Sequence, residues 1–263
     1  MIEEQLKLIR LISILLILIL FQSRLCSQNN FDINQFAKES EKFIQQPLNW
    51  ELSDWGKLGL TAATSILLIH YDKNIRDEIQ QINVNRKSFA IEIGRVWGEV
   101  YTSALIAGVF TISGFSSENN NHKKIAYEIL QSAFYSGIIT TSLKFLFGRA
   151  RPNKELGESL FHSLNKFSDD YWSFPSGHTT LAFSLSTVLS ENTKSDLIKI
   201  FCYLPAILTA YSRVVQDLHW TSDVFLGAAI GYFVGKWVTS IHSENNPIIS
   251  FQGDKLLLSF PLK

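Results

Sequence analysis

The chain reads as six apolar segments separated by polar and charged links, at approximately 55–71, 96–115, 125–147, 178–190, 197–212 and 222–241. Small residues recur inside them, as in GLTAATSILL and FLGAAIGYFVG, and small side chains let helix backbones approach closely. The second, third and sixth segments reach the roughly 20 residues a bilayer span needs; the other three are shorter. Ahead of them, INQFAKESEKFI (33–44) puts Ile33, Phe36, Ala37, Phe43 and Ile44 on one helical face, and Pro47 ends it. Near the C-terminus, two short apolar runs flank Gly253-Asp254 within 248–260, the pattern of a β-hairpin. The expected fold is all-α: a six-helix core bundle, transmembrane, with a short C-terminal β-hairpin.

The first 27 residues add a targeting signal. Lys7 and Arg10 precede the apolar run LISILLILILF at 11–21, and small or polar residues follow. This is the layout of a secretory signal peptide, with an uncleaved anchor as the alternative. The expected division is 1–27 signal peptide or anchor, 28–54 helical lead-in, 55–242 helical-bundle domain, and 243–263 hairpin tail. The link at 72–95 carries Lys73, Arg76, Arg86, Lys87 and Arg95, so it is expected outside any membrane core.

Charge and composition narrow the partners. With 24 basic and 24 acidic side chains among 263 residues, the chain has no electrostatic footprint for nucleic acid. A mean hydropathy of +0.09 is low for a protein mostly in lipid, and Glu128 and Gln131 interrupt the third segment. A soluble helical bundle therefore stays open beside the membrane reading. The two cysteines, Cys26 and Cys202, are too few for a disulfide framework or a thiolate metal site. No metal and no cofactor are expected.

Three stretches carry chemistry. In KFLFGRARP (144–152), Lys144 and Arg151 are two helical turns apart, while Arg149 is expected to point to the side. Two cations at a helix end form an anion clamp: arginine offers a planar fork and lysine a point charge. In YWSFPSGHTT (171–180), Pro175, Ser176 and Gly177 lead into a helix expected to begin at His178. Such a terminus binds anions through free N–H groups, and glycine lets the backbone come close. In SRVVQDLHWTSD (212–223), a helix starting near Thr221 or Ser222 puts Asp223 in its first turn, beside His219. A carboxylate on one imidazole nitrogen leaves the other free as base or nucleophile. Arg213 adds a third cation. Each stretch alone has an ordinary structural explanation. Together they hold three cations, a helix N-terminus and two histidines, the inventory of phosphoryl transfer.

These residues resemble the type 2 phosphatidic acid phosphatase superfamily, which also includes bacterial acid phosphatases and vanadium haloperoxidases. Its signature is Lys-x6-Arg-Pro, Pro-Ser-Gly-His and Ser-Arg-x5-His-x3-Asp. It is met in order by Lys144 to Arg151-Pro152, by Pro175 to His178, and by Ser212-Arg213 to His219 and Asp223. The resemblance implies that His219 is the nucleophile, forming a phosphohistidine, with Asp223 orienting it. It implies that His178 is the general acid, and that Lys144, Arg151, Arg213, Ser176 and Gly177 hold the phosphate. The implied activity is metal-independent hydrolysis of a phosphate monoester or diphosphate, with a phosphorylated lipid as substrate and the membrane as partner, in the cell envelope. A soluble periplasmic acid phosphatase is the main alternative. A vanadate-loaded haloperoxidase and a non-catalytic anion binder are remote ones. The histidines at 70, 122, 162 and 242 match nothing and are expected to be structural or solvated, and Trp172, Phe174 and Trp220 to serve packing. If all six segments cross after an export signal, the motifs face the cytoplasm, the reverse of the arrangement expected for envelope lipids.

Overall fold

The computed structural model describes residues 31–82, 84–162 and 168–243, and the backbone of 248–252 and 255–259. Among the described residues eight α-helices follow in order: α1 Ile33–Gln45, α2 Leu52–Gln81, α3 Phe89–Trp97, α4 Val100–Ser116, α5 Asn120–Phe147, α6 Gly177–Glu191, α7 Asp196–Val215 and α8 Thr221–Ile241. Local capping explains several starts. Asp32 accepts from the Gln35 N–H before α1, Asn119 from the Asn121 and His122 N–H groups before α5, and Ser195 from the Ile198 N–H before α7.

The expectation of six core helices is corrected. The second apolar segment is two helices, α3 and α4, bent by 70° at Gly98-Glu99. Gly98 lies so close to α6 that a Cβ there would stand 2.7 Å from the His178 carbonyl oxygen. The first segment is longer than expected: α2 runs on through Asp72 and Arg76, so this half of the 72–95 link belongs to the bundle. Among the described helices, α7 and α8 are long and apolar enough to cross a membrane, and α3 with α4 makes a third if the bent pair is one span. The third segment, now α5, is long enough but fails on polarity. It carries Lys123, Lys124, Glu128 and Lys144, with Gln131 and Ser132 buried along it.

α6 lies at the centre, against α8 on one side. Gly227, Gly231 and Gly235, four residues apart, form the crossing stripe. A Cβ at Gly231 would sit 2.2 Å from the Thr180 carbonyl oxygen, so backbone packs on backbone. One apolar core joins Ala107, Ile125, Ile129, Leu185 and Val188 between α4, α5 and α6. A second joins Tyr135, Val234 and Val238, capped by α1 through Phe36 and Phe43; the Phe43 and Tyr135 rings stack 4.3 Å apart. Outer positions of α2, α4 and α7 stay apolar and exposed, among them Leu60, Ile66, Leu105, Ile112, Ile200 and Ile207. Exposed apolar surface on this scale marks a lipid or protein contact.

Beside the second core is a buried polar cluster. His242, just past α8, lies between two carboxylates: Nε2 is 3.1 Å from Glu39 of α1 and Nδ1 is 3.3 Å from Glu128 of α5. Glu39 also accepts from the Tyr127 hydroxyl at 2.9 Å and from Gln131 Nε2 at 2.8 Å. Glu128 accepts from Asn192 Nδ2. The interruption of the third apolar segment at 128 and 131 is therefore the face that holds α1 in place. His242 is structural, as expected.

Past α8, the backbone over Ile248–Gln252 (β1) pairs antiparallel with Lys255–Ser259 (β2), Ile248 opposite Ser259. The fold class rests on the helices, and the expected C-terminal hairpin is not part of it. The stretch 1–27, expected to be a signal peptide or anchor, lies outside the described residues.

Candidate active site

Three chain segments meet at one end of the bundle: the turn after α5, the start of α6, and the turn between α7 and α8. Each is bent there for a local reason. α5 stops because Gly148 takes φ +56°, the left-handed conformation that glycine adopts without strain, and its N–H donates to the Lys144 carbonyl. α6 starts at Gly177, one residue earlier than expected. The α7–α8 turn folds back on itself, since the Leu218 and His219 N–H groups both donate to the Arg213 carbonyl.

His219 is buried in this turn. Its Nδ1 lies 2.9 Å from the Ser173 carbonyl oxygen. A carbonyl can only accept, so Nδ1 carries the proton and Nε2 keeps its lone pair. Asp223 Oδ2 stands 3.6 Å from Nδ1, beyond hydrogen-bond length, so this carboxylate acts on the ring through its charge. Asp223 is itself fixed from all sides. Oδ2 accepts from Ser173 Oγ at 2.5 Å and from the Trp220 N–H at 2.8 Å, while Oδ1 accepts from Arg149 Nη1 at 2.6 Å. Burial, with Arg151 and Lys144 adding to it, pulls the His219 imidazole down to about 3. The free ring is therefore neutral across the physiological range.

The cations converge on the same place. Lys144 Nζ donates to the Trp172 carbonyl and stands 3.5 Å from the Ser173 carbonyl that also holds His219. Its Cε lies 3.8 Å from where a Gly177 Cβ would be, so glycine leaves this space open. Burial, reinforced by Arg151, pulls Lys144 down to about 7. Arg151 donates to the Leu218 carbonyl, next to His219, at 3.2 Å and pairs with Asp169 at 2.6 Å. Arg213 is buried, with Nη2 on Gln216 and Nε on Ser212 Oγ. Ser176 is fully buried, and its N–H donates to the Asp223 carbonyl at 2.9 Å, tying the start of α6 to the start of α8. Lys144 and Arg151 do come together, though not by helical phase: the helix ends at Phe147, and the turn at Gly148 brings Arg151 round.

His178 is the more open of the two imidazoles. Its Nε2 faces Glu99 at 3.4 Å. Burial lowers its proton affinity, opposed by Glu99 and reinforced by Arg213 and Lys144. Lys144 thus bears on both rings, and a bound anion between them would raise the proton affinity of each.

Two groups escaped sequence reasoning. Glu99 sits at the α3–α4 bend, where a Gly followed by an acid inside an apolar run was the available signal. Arg149, expected to point aside, is corrected: it is fully buried at the base of the site. Besides Asp223, its guanidinium reaches Asp72 at 2.9 Å, Ser222 Oγ at 2.6 Å and the Glu158 carbonyl. The rings of Phe161, Phe174 and Trp220 surround it at 5.3 to 5.7 Å. Phe174 and Trp220 are packing residues, as expected, and what they pack is this cation.

The fold thus gathers two histidines and a cluster of buried cations at one end of a helical bundle. The model of the PAP2 superfamily matches residues 126–247 of the chain. The chain is 29% identical over 187 residues to the lipid A 1-phosphatase of Porphyromonas gingivalis, a stretch that covers 68% of this chain and 37% of that protein. The chain thus matches little more than a third of that relative's length. Among solved structures it resembles LpxE of Aquifex aeolicus, at 25% identity and a TM-score of 0.51, over 64% of this chain and 94% of that one. It also shares its fold with the transmembrane PAP2-type phosphatidylglycerolphosphate phosphatase of Bacillus subtilis, at 18% identity and a TM-score of 0.55, over 71% and 96%.

Proposed function

We propose that this protein is a membrane-bound phosphatase of the cell envelope that removes a phosphate monoester from a lipid, with 55–242 as its catalytic unit. The observation that carries the reading is the His219 ring. Its Nδ1 is committed to the Ser173 carbonyl, leaving Nε2 a neutral, buried nucleophile among cations. The relatives' names support a lipid substrate, and α7 and α8 support membrane insertion.

The steps follow from these groups. Lys144, Arg151 and Arg213, with Ser176 and the Gly177 N–H, neutralise the phosphate oxygens. His219 Nε2 attacks phosphorus as the P–O bond to the lipid breaks. Protonated His178 gives its proton to the departing alkoxide. The resulting phosphohistidine bears a cationic ring, steadied by Asp223. Neutral His178 then takes a proton from water, whose oxygen attacks phosphorus, releasing inorganic phosphate and restoring both imidazoles. No step requires a metal.

The test is turnover of p-nitrophenyl phosphate and of a panel of lipid phosphates in detergent micelles. His219→Ala is expected to lose activity by about a thousandfold or more while keeping its fold, and a chelator to have little effect on the wild type. Wild-type turnover in His219→Ala defeats the reading. Activity released with the periplasm, without detergent, points instead to a soluble acid phosphatase.

A further inference from the structure

We propose that Asp72, on α2 and outside the matched family region, is a positioning residue for the reaction. It shares the charge of Arg149 and so leaves Asp223 with negative charge to spare for the His219 ring. The inference rests on the phosphohistidine reading above.

The geometry is a buried chain of alternating charge. Asp72 Oδ1 accepts from the Ser222 N–H at 2.9 Å; Oδ2 accepts from the Ser222 hydroxyl and from Arg149 Nη2, the latter at 2.9 Å. The other arm of Arg149 holds Asp223 at 2.6 Å. All three charged side chains are fully buried. One cation between two carboxylates leaves one negative charge in a region with no solvent to absorb it. The start of α8 stabilises that charge in the free enzyme, because the Trp220 and Ser222 N–H groups point at the two carboxylates. When the His219 ring becomes cationic, the surplus is its counter-charge.

Removing Asp72 would change this balance without touching the substrate. Arg149 and Asp223 would then cancel, and the charged ring would stand among Lys144, Arg151 and Arg213 with no net partner. The penalty falls where the ring is charged, in the transition state and intermediate, and not where phosphate merely binds.

The experiment compares Asp72→Asn and Asp72→Glu with the wild type on p-nitrophenyl phosphate, and measures inhibition by inorganic phosphate and by orthovanadate. Asparagine keeps an acceptor for the Ser222 N–H but has no charge; glutamate keeps the charge on a longer arm. The expected result is a fall in kcat of about tenfold to a hundredfold for Asp72→Asn, with KM and the phosphate Ki within about twofold. Vanadate, which bonds to the ring nitrogen as a transition-state mimic, should weaken in step with kcat/KM. Asp72→Glu should recover part of the loss. Unchanged kcat in Asp72→Asn, equal weakening of phosphate and vanadate, or asparagine equal to or better than glutamate would overturn the proposal. If Asp72→Asn does not fold, the vanadate-to-phosphate ratio in Asp72→Glu decides: a raised ratio supports the proposal and an unchanged one overturns it. Failure of the phosphohistidine reading itself looks different, because His219→Ala would then still turn over.

Discussion

The molecule contains two buried clusters of the same design and opposite character. In one, Arg149 lies between Asp72 and Asp223; in the other, His242 lies between Glu39 and Glu128. Each sets one cation between two carboxylates and ties helices distant in sequence. The difference is the cation. A guanidinium keeps its proton at every working pH, so the Arg149 cluster is a fixed support, suited to the base of a reacting site. An imidazole does not, so the His242 cluster fastens α1 only while it stays protonated. Burial alone would lower His242, but Glu128 and Glu39 outweigh it and raise the imidazole to about 9. A fixed charge belongs where chemistry must not drift; a titratable one is tolerated where only packing depends on it.

The largest expected effect comes from breaking the fixed cluster. Arg149→Met strands two buried carboxylates and should cost about 3–5 kcal/mol of stability, read from chemical unfolding in detergent. Activity on p-nitrophenyl phosphate should fall by about a hundredfold or more. The same operation on the other cluster separates the two. His242→Gln should lower stability but leave kcat/KM near wild type, because His242 touches no site residue.

The pH dependence of stability sharpens the contrast. His242 has a folded pKa above its unfolded value, so its contribution is complete below about 6.5 and is lost as pH rises through about 9. Burial would raise Glu39, but the contact with His242 outweighs it and holds it below 4.5, so its share is lost as pH falls below that value. This cluster's contribution to stability should therefore be greatest between about pH 4.5 and 6.5, falling by on the order of 3 kcal/mol at most towards pH 10. That alkaline decline should be absent in His242→Gln.

Within the active site, Lys144 is the titratable member among arginines. Held near 7 by burial, it loses its proton as pH rises. Inhibition by sulfate, whose charge is constant in this range, should weaken between pH 6 and pH 9, by up to about tenfold. Lys144→Arg should flatten the profile. The smallest effect is expected at the exposed Lys57–Asp54 pair, where Lys57→Ala should leave Tm and activity unchanged.

What could be read from the amino acids divides along the same line. The residues proposed to form the site come in ordered local patterns, so His178, His219, Asp223 and the three cations stand out as candidates from the sequence alone. Their supports do not. Asp72 and Arg149 are 77 positions apart, and nothing local announces that α2 runs on far enough to bring them together. Arg149 misled because helical phase was carried past Phe147, where the turn at Gly148 cancels it. The helix count failed because the second apolar segment was read as one element across Gly98-Glu99, where the chain bends. Glu128 and Gln131 were noticed as interruptions, but their partners, Glu39 and His242, lie 203 positions apart from one another and meet only in the folded chain.

The central claim is that His219 Nε2 takes the phosphoryl group. Rapid acid-free quenching of the wild type with radiolabelled p-nitrophenyl phosphate tests it most directly. The account predicts an alkali-stable, acid-labile label on the peptide containing His219, formed as fast as p-nitrophenol is released and absent from His219→Ala. Steady turnover with the label on another residue would contradict it.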